Sequence, residues 1–182
     1  MKKMTDKKSN PIEITSKSRL RPVDTDAAKQ DIDIARAVFR DEIEGLKQVG
    51  ARVDDHFHDA VDTIYRCRGR LIIFGVGKSG LIAKKIAATL TSTGTPSFYL
   101  HPVEAAHGDL GLVTADDVVV FLSKSGMSDE LRPLLPSLRR LGVTIIAMTG
   151  NTKSYLAEHS DIVLDTQVDH EACALDLAPT TS

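Results

Sequence analysis

LIIFGVGKSG, at residues 71–80, decides the fold, because a short apolar run here ends in a glycine-rich loop that opens a helical pattern. Similar apolar runs recur at 97–100, 118–122, 143–148 and 162–164. Continuous apolar runs indicate strands that are covered on both faces, and helical spacing between them indicates βαβ units. The sequence therefore predicts an α/β fold with a doubly wound, Rossmann-like parallel sheet of five strands.

Helices are predicted on either side of these runs. The first begins at the capping residues Asp24-Thr25-Asp26, and a second ends at Gly69. The helix after residue 80 has an apolar side made of Leu81, Ile82, Ile86, Ala87 and Leu90. A later helix, with leucines at 131, 134, 135 and 138, is expected to open directly from the loop at 123–130.

Composition and charge exclude several classes of protein. The chain has 182 residues and a net charge of −2, but residues 1–22 hold seven basic and two acidic residues, which leaves 16 basic and 23 acidic residues in 23–182. We expect a basic, disordered leader at 1–22 and one domain at 23–182. The acidic body disfavours nucleic-acid binding. Because neither a secretory signal nor an apolar span appears, we expect a cytoplasmic protein with no membrane contact.

The loop at 75–80 resembles two nucleotide motifs but completes neither. It matches G-x-G-x-x-G, yet no acid ends the second run to hold a ribose, so a nicotinamide-dependent dehydrogenase is disfavoured. A P-loop requires a glycine where Ile72 stands. Both motifs share backbone N–H groups that approach an anion at a helix N-terminus. Gly77, Lys78 and Ser79 are therefore candidates for anion binding, and the alternative is a glycine turn without a ligand.

A second loop, at 123–130, follows the most apolar run. Its hydroxyl residues Ser123, Ser125 and Ser128 surround Gly126, and such a set can ring a phosphate above free backbone N–H groups. The alternative is that Ser128 caps a helix while the other serines fill a turn. Between the two loops, His101 and His107 share a segment with Glu104 and Asp109, which indicates acid–base or ligand chemistry.

Six segments together resemble one family. They are GVGKSG at 75–80, STGTPS at 92–97, HPVEAAHGDLG at 101–111, S-x-S-G-x-S-x-E at 123–130, MTG at 148–150 and EAC-x-L-x-L-APT at 171–180. In these segments the chain resembles the sugar isomerase (SIS) domain of bacterial arabinose 5-phosphate isomerases, over roughly residues 30–182. The resemblance implies interconversion of D-ribulose 5-phosphate and D-arabinose 5-phosphate for Kdo in lipopolysaccharide, or for capsule.

The resemblance also implies roles for particular residues. Lys78, Glu130 and Glu171 match catalytic positions of the family, and Gly94, Thr95, His101 and His107 match sugar-contacting ones. The resemblance implies that no cofactor is required, although the position of His101 can hold zinc in relatives. The family forms homotetramers, so we expect a sugar phosphate and further copies of the chain as partners.

The chain departs from the family at several points. Lys124 and Met127 stand where asparagine and glutamate are common, and Val103 replaces a glycine. Relatives continue beyond Ser182 with an apolar helix, a His-Pro-Gly-Gly segment and often a pair of CBS domains. We therefore expect a C-terminally incomplete SIS domain. The alternative to an isomerase is a catalytically impaired phosphosugar-binding module, or a fragment of the full enzyme.

Overall fold

A computed structural model describes residues 25–173 and 178–181, so the predicted leader at 1–22 lies outside the described residues. The chain divides into two compact units, residues 1–36 and 37–182. The described part of the first unit is the beginning of helix α1. The elements in chain order are α1 (Thr25–Ala51), α2 (Asp55–Tyr65), β1 (Leu71–Gly75), α3 (Gly77–Ser92), β2 (Ser97–Leu100), α4 (Pro102–Ala106), a 3-10 turn (Asp109–Leu112), β3 (Val118–Leu122), α5 (Leu134–Leu141), β4 (Thr144–Thr149), α6 (Tyr155–Glu158) and β5 (Ile162–Asp165).

The five strands form one parallel sheet in the order β2-β1-β3-β4-β5. The first strand, β1, is second in this order. β2 pairs with one side of β1, and β3 pairs with the other side and is followed outward by β4 and β5. The order therefore reverses between β1 and β3, and ligands of such sheets bind at the carboxyl ends of strands beside such a reversal. The prediction of a doubly wound, five-stranded parallel sheet is confirmed.

Side chains of the central strands alternate between two apolar cores. Phe74 and Phe121 point to one face, where their rings stack with centroids 4.8 Å apart and α5 supplies three buried leucines. Ile73 and Val120 point to the other face, where α2 and α3 cover them. Every residue of β1 and β3 is consequently buried, which explains why their sequences read as unbroken apolar runs.

The apolar side predicted for α3 is wrong at its first two positions. Leu81 and Ile82 are exposed, and α3 faces the sheet with Gly80, Ala83 and Ala87 instead. The close approach of helix and strand explains the choice, because a Cβ atom on Gly80 would lie 2.8 Å from the Gly75 carbonyl oxygen. Small residues thus set the distance between α3 and β1.

The helix after the loop at 123–130 begins later than predicted. It starts at Leu134, and residues 129–133 form turns, one of them closed by the Leu131 amide on the Ser128 carbonyl at 3.1 Å. Pro133 explains the delay, since a proline disfavours helical backbone in the residue before it. The end of α2 also differs from the prediction, because the helix ends at Tyr65 and does not extend to Gly69.

Asp117 joins the starts of β1 and β3. Its carboxylate accepts hydrogen bonds from the Arg70 amide at 2.7 Å and the Thr114 amide at 2.8 Å, and its residue is 2 % exposed. Burial raises the pKa of Asp117, but the hydrogen bonds from Thr114 and Arg70 outweigh it, so the pKa lies below its usual value.

In the described ranges, no helix combines the length and apolarity needed to cross a bilayer.

Candidate functional site

A cavity of about 530 Å³ opens at the carboxyl ends of four of the five strands. The loop after β3 contributes most of its wall, and the loops after β1, β4 and β5 complete it. The lining residues are Val76, Ser79, Leu122, Ser123, Lys124, Ser125, Ser128, Gly150, Thr166, Gln167 and Val168. The cavity thus combines four serine hydroxyls with one lysine, in the place that the topology favours for a ligand.

The serine loop, residues 123–130, is held in shape by its own hydrogen bonds. The Gly126 amide donates to the carbonyl oxygen of Ser123 at 3.2 Å and to its Oγ at 3.1 Å. The Ser123 and Ser128 hydroxyls lie 3.3 Å apart, and the Met127 amide donates to Ser125 Oγ at 3.2 Å. The three predicted serines are therefore brought together around Gly126, in a turn that hydrogen bonds within the loop already hold in place.

Position 126 requires glycine because of its backbone conformation and because Ser154 packs against it. Its φ is +62°, and a Cβ atom there would lie 2.0 Å from the Oγ of Ser154, which is fully buried. The Leu156 amide donates to the Gly126 carbonyl at 3.1 Å, and Ser154 Oγ accepts from the Ala157 amide at 3.3 Å. The start of α6 therefore supports the serine loop from beneath.

The loop after β1 brings Ser79 to the cavity but not its neighbours. Gly77, with φ of +59°, begins α3, and the Ser79 side chain lines the cavity wall. Lys78 is exposed and is not among the lining residues. The Tyr99 hydroxyl donates to the Gly75 carbonyl at 2.9 Å, which fastens the end of β1 to β2.

The three predicted catalytic residues are in different environments. Lys78 and Glu130 are exposed, whereas Glu171 is buried at 7 % exposure. Glu171 Oε2 accepts hydrogen bonds from the amides of Thr180 at 2.8 Å and Thr181 at 3.0 Å, and Oε1 pairs with Lys124. None of the three lines the cavity itself, although the Lys124 ammonium links Glu171 to its wall.

The predicted sugar-contacting residues lie beyond the two ends of β2, an edge strand of the sheet. His101 follows the carboxyl end of β2 and caps α4, with Nδ1 accepting from the Val103 amide at 3.2 Å, and His107 is exposed at the other end of α4. Gly94 and Thr95 precede β2 and so lie at its amino end, opposite the cavity. Within one chain, neither pair of residues lines the cavity.

A zinc ion at His101 would need further ligands from neighbouring residues. The described residues contain no group of three or more His, Cys, Asp or Glu side chains arranged around a common metal position. Zinc sites in proteins use three or four such ligands, so His101 in a single described chain does not complete one. Zinc at His101 stays a prediction without support from the described side chains.

Several cavity residues were not among the predicted site residues. Lys124 had been noted only as a departure from the family, and Gly150 only within a motif. Thr166, Gln167 and Val168 were missed altogether. Their position directly after β5 was the available signal, because the carboxyl ends of parallel strands meet at one end of the sheet.

Comparison with known proteins assigns the family. Residues 64–182 match the model of the SIS domain. The chain is 52% identical over 143 residues to the arabinose 5-phosphate isomerase KdsD of Pseudomonas aeruginosa, covering 79% of this chain and 43% of the relative. KdsD of Escherichia coli K12 is 46% identical over 147 residues, covering 81% and 45%. The chain therefore spans less than half the length of these curated relatives.

A solved structure agrees with the sequence comparison over most of both chains. The protein c3406 of E. coli CFT073, in complex with arabinose 5-phosphate, superposes with a TM-score of 0.80 at 40% identity, covering 87% of this chain and 82% of its own. Both the fold and the family model thus point to the same domain. This chain belongs to the SIS domain family.

Proposed function

We propose that this chain is an aldose–ketose isomerase that interconverts D-ribulose 5-phosphate and D-arabinose 5-phosphate. The observation that carries the proposal is the cavity, in which the serine loop stands at the strand ends of a domain shared with KdsD and with a protein solved in complex with arabinose 5-phosphate. Because the chain spans under half of each KdsD relative, the activity is carried over as a proposal.

The cavity suits the phosphate end of such a substrate. Ser79, Ser123, Ser125 and Ser128 supply hydroxyl donors, and Lys124 supplies a positive charge. Hydrogen bonds to a charged phosphate are stronger than those between neutral groups, and hydroxyls adapt their donor direction to the oxygens. The volume, about 530 Å³, is within the range of small-molecule sites.

The reaction requires only proton transfers. A base removes a proton from C1 of ribulose 5-phosphate while the C2 carbonyl oxygen gains one, which produces a 1,2-enediol. The C1 hydroxyl then loses its proton to become the aldehyde, and C2 receives a proton. We assign the transfers to the carboxylates of Glu130 and Glu171 and the stabilisation of enediolate charge to Lys78. Since no electron leaves the sugar, no redox cofactor enters.

Binding and turnover should be measured separately. We expect arabinose 5-phosphate to bind in isothermal titration calorimetry, and Ser125→Ala or Ser128→Ala to weaken binding about tenfold, because each removes a hydrogen bond to a charged group. Ser137→Ala is the matched control, since Ser137 lies on α5 away from the cavity. Unchanged affinity in both serine variants would refute the phosphate site.

Turnover distinguishes an enzyme from a binding module. We expect purified protein incubated with ribulose 5-phosphate to form arabinose 5-phosphate. Binding that persists without any product would reject the isomerase and leave a phosphosugar-binding module. Within the cell, we propose a cytoplasmic role in supplying arabinose 5-phosphate for Kdo of lipopolysaccharide or for capsule.

We also propose that the chain self-associates as a homotetramer. Large apolar side chains are exposed on helices α1 to α5, for example Phe39 at 71 % and Leu81 at 64 %. Phe39, Ile43 and Leu46 follow one another at helical spacing on one face of α1, and a contiguous exposed apolar face is typical of a contact surface between proteins. Light scattering coupled to size exclusion measures the assembly directly.

A further inference from the structure

Lys124 is the one residue with an ionisable side chain among the described residues that line the cavity. The backbone of Lys124 is held by the end of β4, because the Lys124 carbonyl oxygen accepts hydrogen bonds from the Gly150 amide at 3.0 Å and from Thr149 Oγ1 at 3.3 Å. The side chain is 57 % exposed. A cation on a fixed backbone, beside four hydroxyls, is placed to attract an anion into the cavity.

The same ammonium group already has an anionic partner. Lys124 Nζ pairs with Oε1 of Glu171, whose side chain is only 6 % exposed. The other carboxylate oxygen, Oε2, accepts hydrogen bonds from the backbone amides of Thr180 and Thr181. A buried carboxylate is costly unless it is paired and hydrogen-bonded, so Lys124 supplies positive charge to Glu171 as well as to the cavity.

Two anions must therefore share one lysine when a phosphate enters. An ammonium group has three N–H donors, so Lys124 can contact Glu171 and a phosphate oxygen together. A phosphate ester carries close to two negative charges near pH 7. Because Lys124 Nζ contacts Glu171, an anion bound to the same ammonium also lies near that carboxylate and is repelled by it.

We propose that Lys124 binds the phosphate of the ligand and that Glu171, paired to the same ammonium, limits the affinity. The inference rests on the proposed function for the identity of the ligand, but it concerns the charge balance of the cavity rather than turnover. It makes Lys124, a residue where the family commonly has asparagine, a determinant of phosphate affinity in this chain.

Inorganic phosphate and arabinose 5-phosphate, titrated separately by calorimetry, test the pair. We expect Lys124→Met to weaken binding of both by about tenfold or more. We expect Glu171→Gln to tighten both by about threefold, since a neutral amide neither repels the ligand nor competes for the full charge of Lys124. The double variant Lys124→Met/Glu171→Gln should bind more tightly than Lys124→Met alone, because it lacks the carboxylate that repels the ligand.

The gain in affinity separates charge balance from structural damage, because a damaged cavity does not bind more tightly. If Lys124→Met fails to fold, the double variant, which buries no unpaired carboxylate, and Lys124→Arg, which keeps the charge, provide the comparison. The control pair Lys47→Met and Glu44→Gln removes an exposed lysine–glutamate pair on α1 and should leave affinity unchanged.

Three results overturn the inference: unchanged phosphate affinity in Lys124→Met, unchanged or weakened affinity in Glu171→Gln, or no phosphate binding by the unaltered chain. Failure of the proposed function has a different outcome. Inorganic phosphate would then bind with the expected pattern across the variants, while ribulose 5-phosphate would not be converted.

Discussion

Gly126→Ala should damage both the stability of the protein and the serine loop. Alanine at φ of +62° costs about 1 kcal/mol in backbone energy. The new Cβ would also meet Ser154 Oγ at 2.0 Å and Ser154 Cβ at 2.5 Å, and both Ser154 and the nearby Thr149 are fully buried. Displacing Ser154 loses the cap on α6 and overpacks the core, which adds about 2 kcal/mol.

The expected loss, about 3 kcal/mol, is a large part of the stability of an ordinary domain. Urea unfolding followed by far-UV circular dichroism measures it. Gly142→Ala is the matched control, because Gly142 has φ of +76° but no atom within 4 Å of an added Cβ. It should lose only the backbone contribution, about 1 kcal/mol.

Ser154→Gly tests the proposed contact directly. In the double variant with Gly126→Ala, the clashing atoms are gone, so the combined loss should be smaller than the sum of the single losses. The reasoning is refuted if Gly126→Ala and Gly142→Ala cost the same within about 0.5 kcal/mol, the usual scatter for independent sites. Phosphate titration of Gly126→Ala should also show weakened binding.

Two further predictions concern other parts of the second unit. Asp117→Asn should destabilise the protein at pH 7, and the difference from the unaltered chain should shrink in acid. The pKa of Asp117 is lowered in the folded state, so its stabilisation is complete above the ordinary value of 3.8 and is lost as the pH falls through the lower folded value. Urea midpoints at pH 7 and below pH 3.8 check this, and a difference that grows in acid would contradict it. Leu81→Glu should reduce the assembly size in light scattering while circular dichroism stays unchanged, because Leu81 is 64 % exposed; an unchanged assembly would place the contact surface elsewhere.

The central strands were predictable because consecutive residues of each are all buried and therefore all apolar or glycine. Val118–Leu122 is apolar at every position, and a strand covered on both faces requires this. The late start of α5 after Pro133 and the early end of α2 were not predicted, since helix limits depend on local backbone preferences that apolar spacing does not record. The exposure of Leu81 and Ile82 was similarly hidden, because helical periodicity does not say which apolar stripe faces the sheet.

The candidate site was predictable where one loop contains the whole motif. Ser123, Ser125 and Ser128 lie within six residues, so their meeting around Gly126 follows from a local turn. Glu171 was identified by resemblance alone. Its burial and its pairing with Lys124, 47 residues earlier, have no local signature in the sequence.

By itself, the sequence determined the α/β class, the five parallel strands and the loops that carry polar groups, because burial on both faces and turn chemistry act between near neighbours in the chain. Only the tertiary structure decided which loops share one cavity, that Gly126 rests on Ser154, and that Lys124 serves both the cavity and Glu171. Those relations depend on the order of strands in the sheet, which brings distant segments to one edge. Contacts between segments so far apart arise from the packing of the whole sheet and are not recorded in any single stretch of residues.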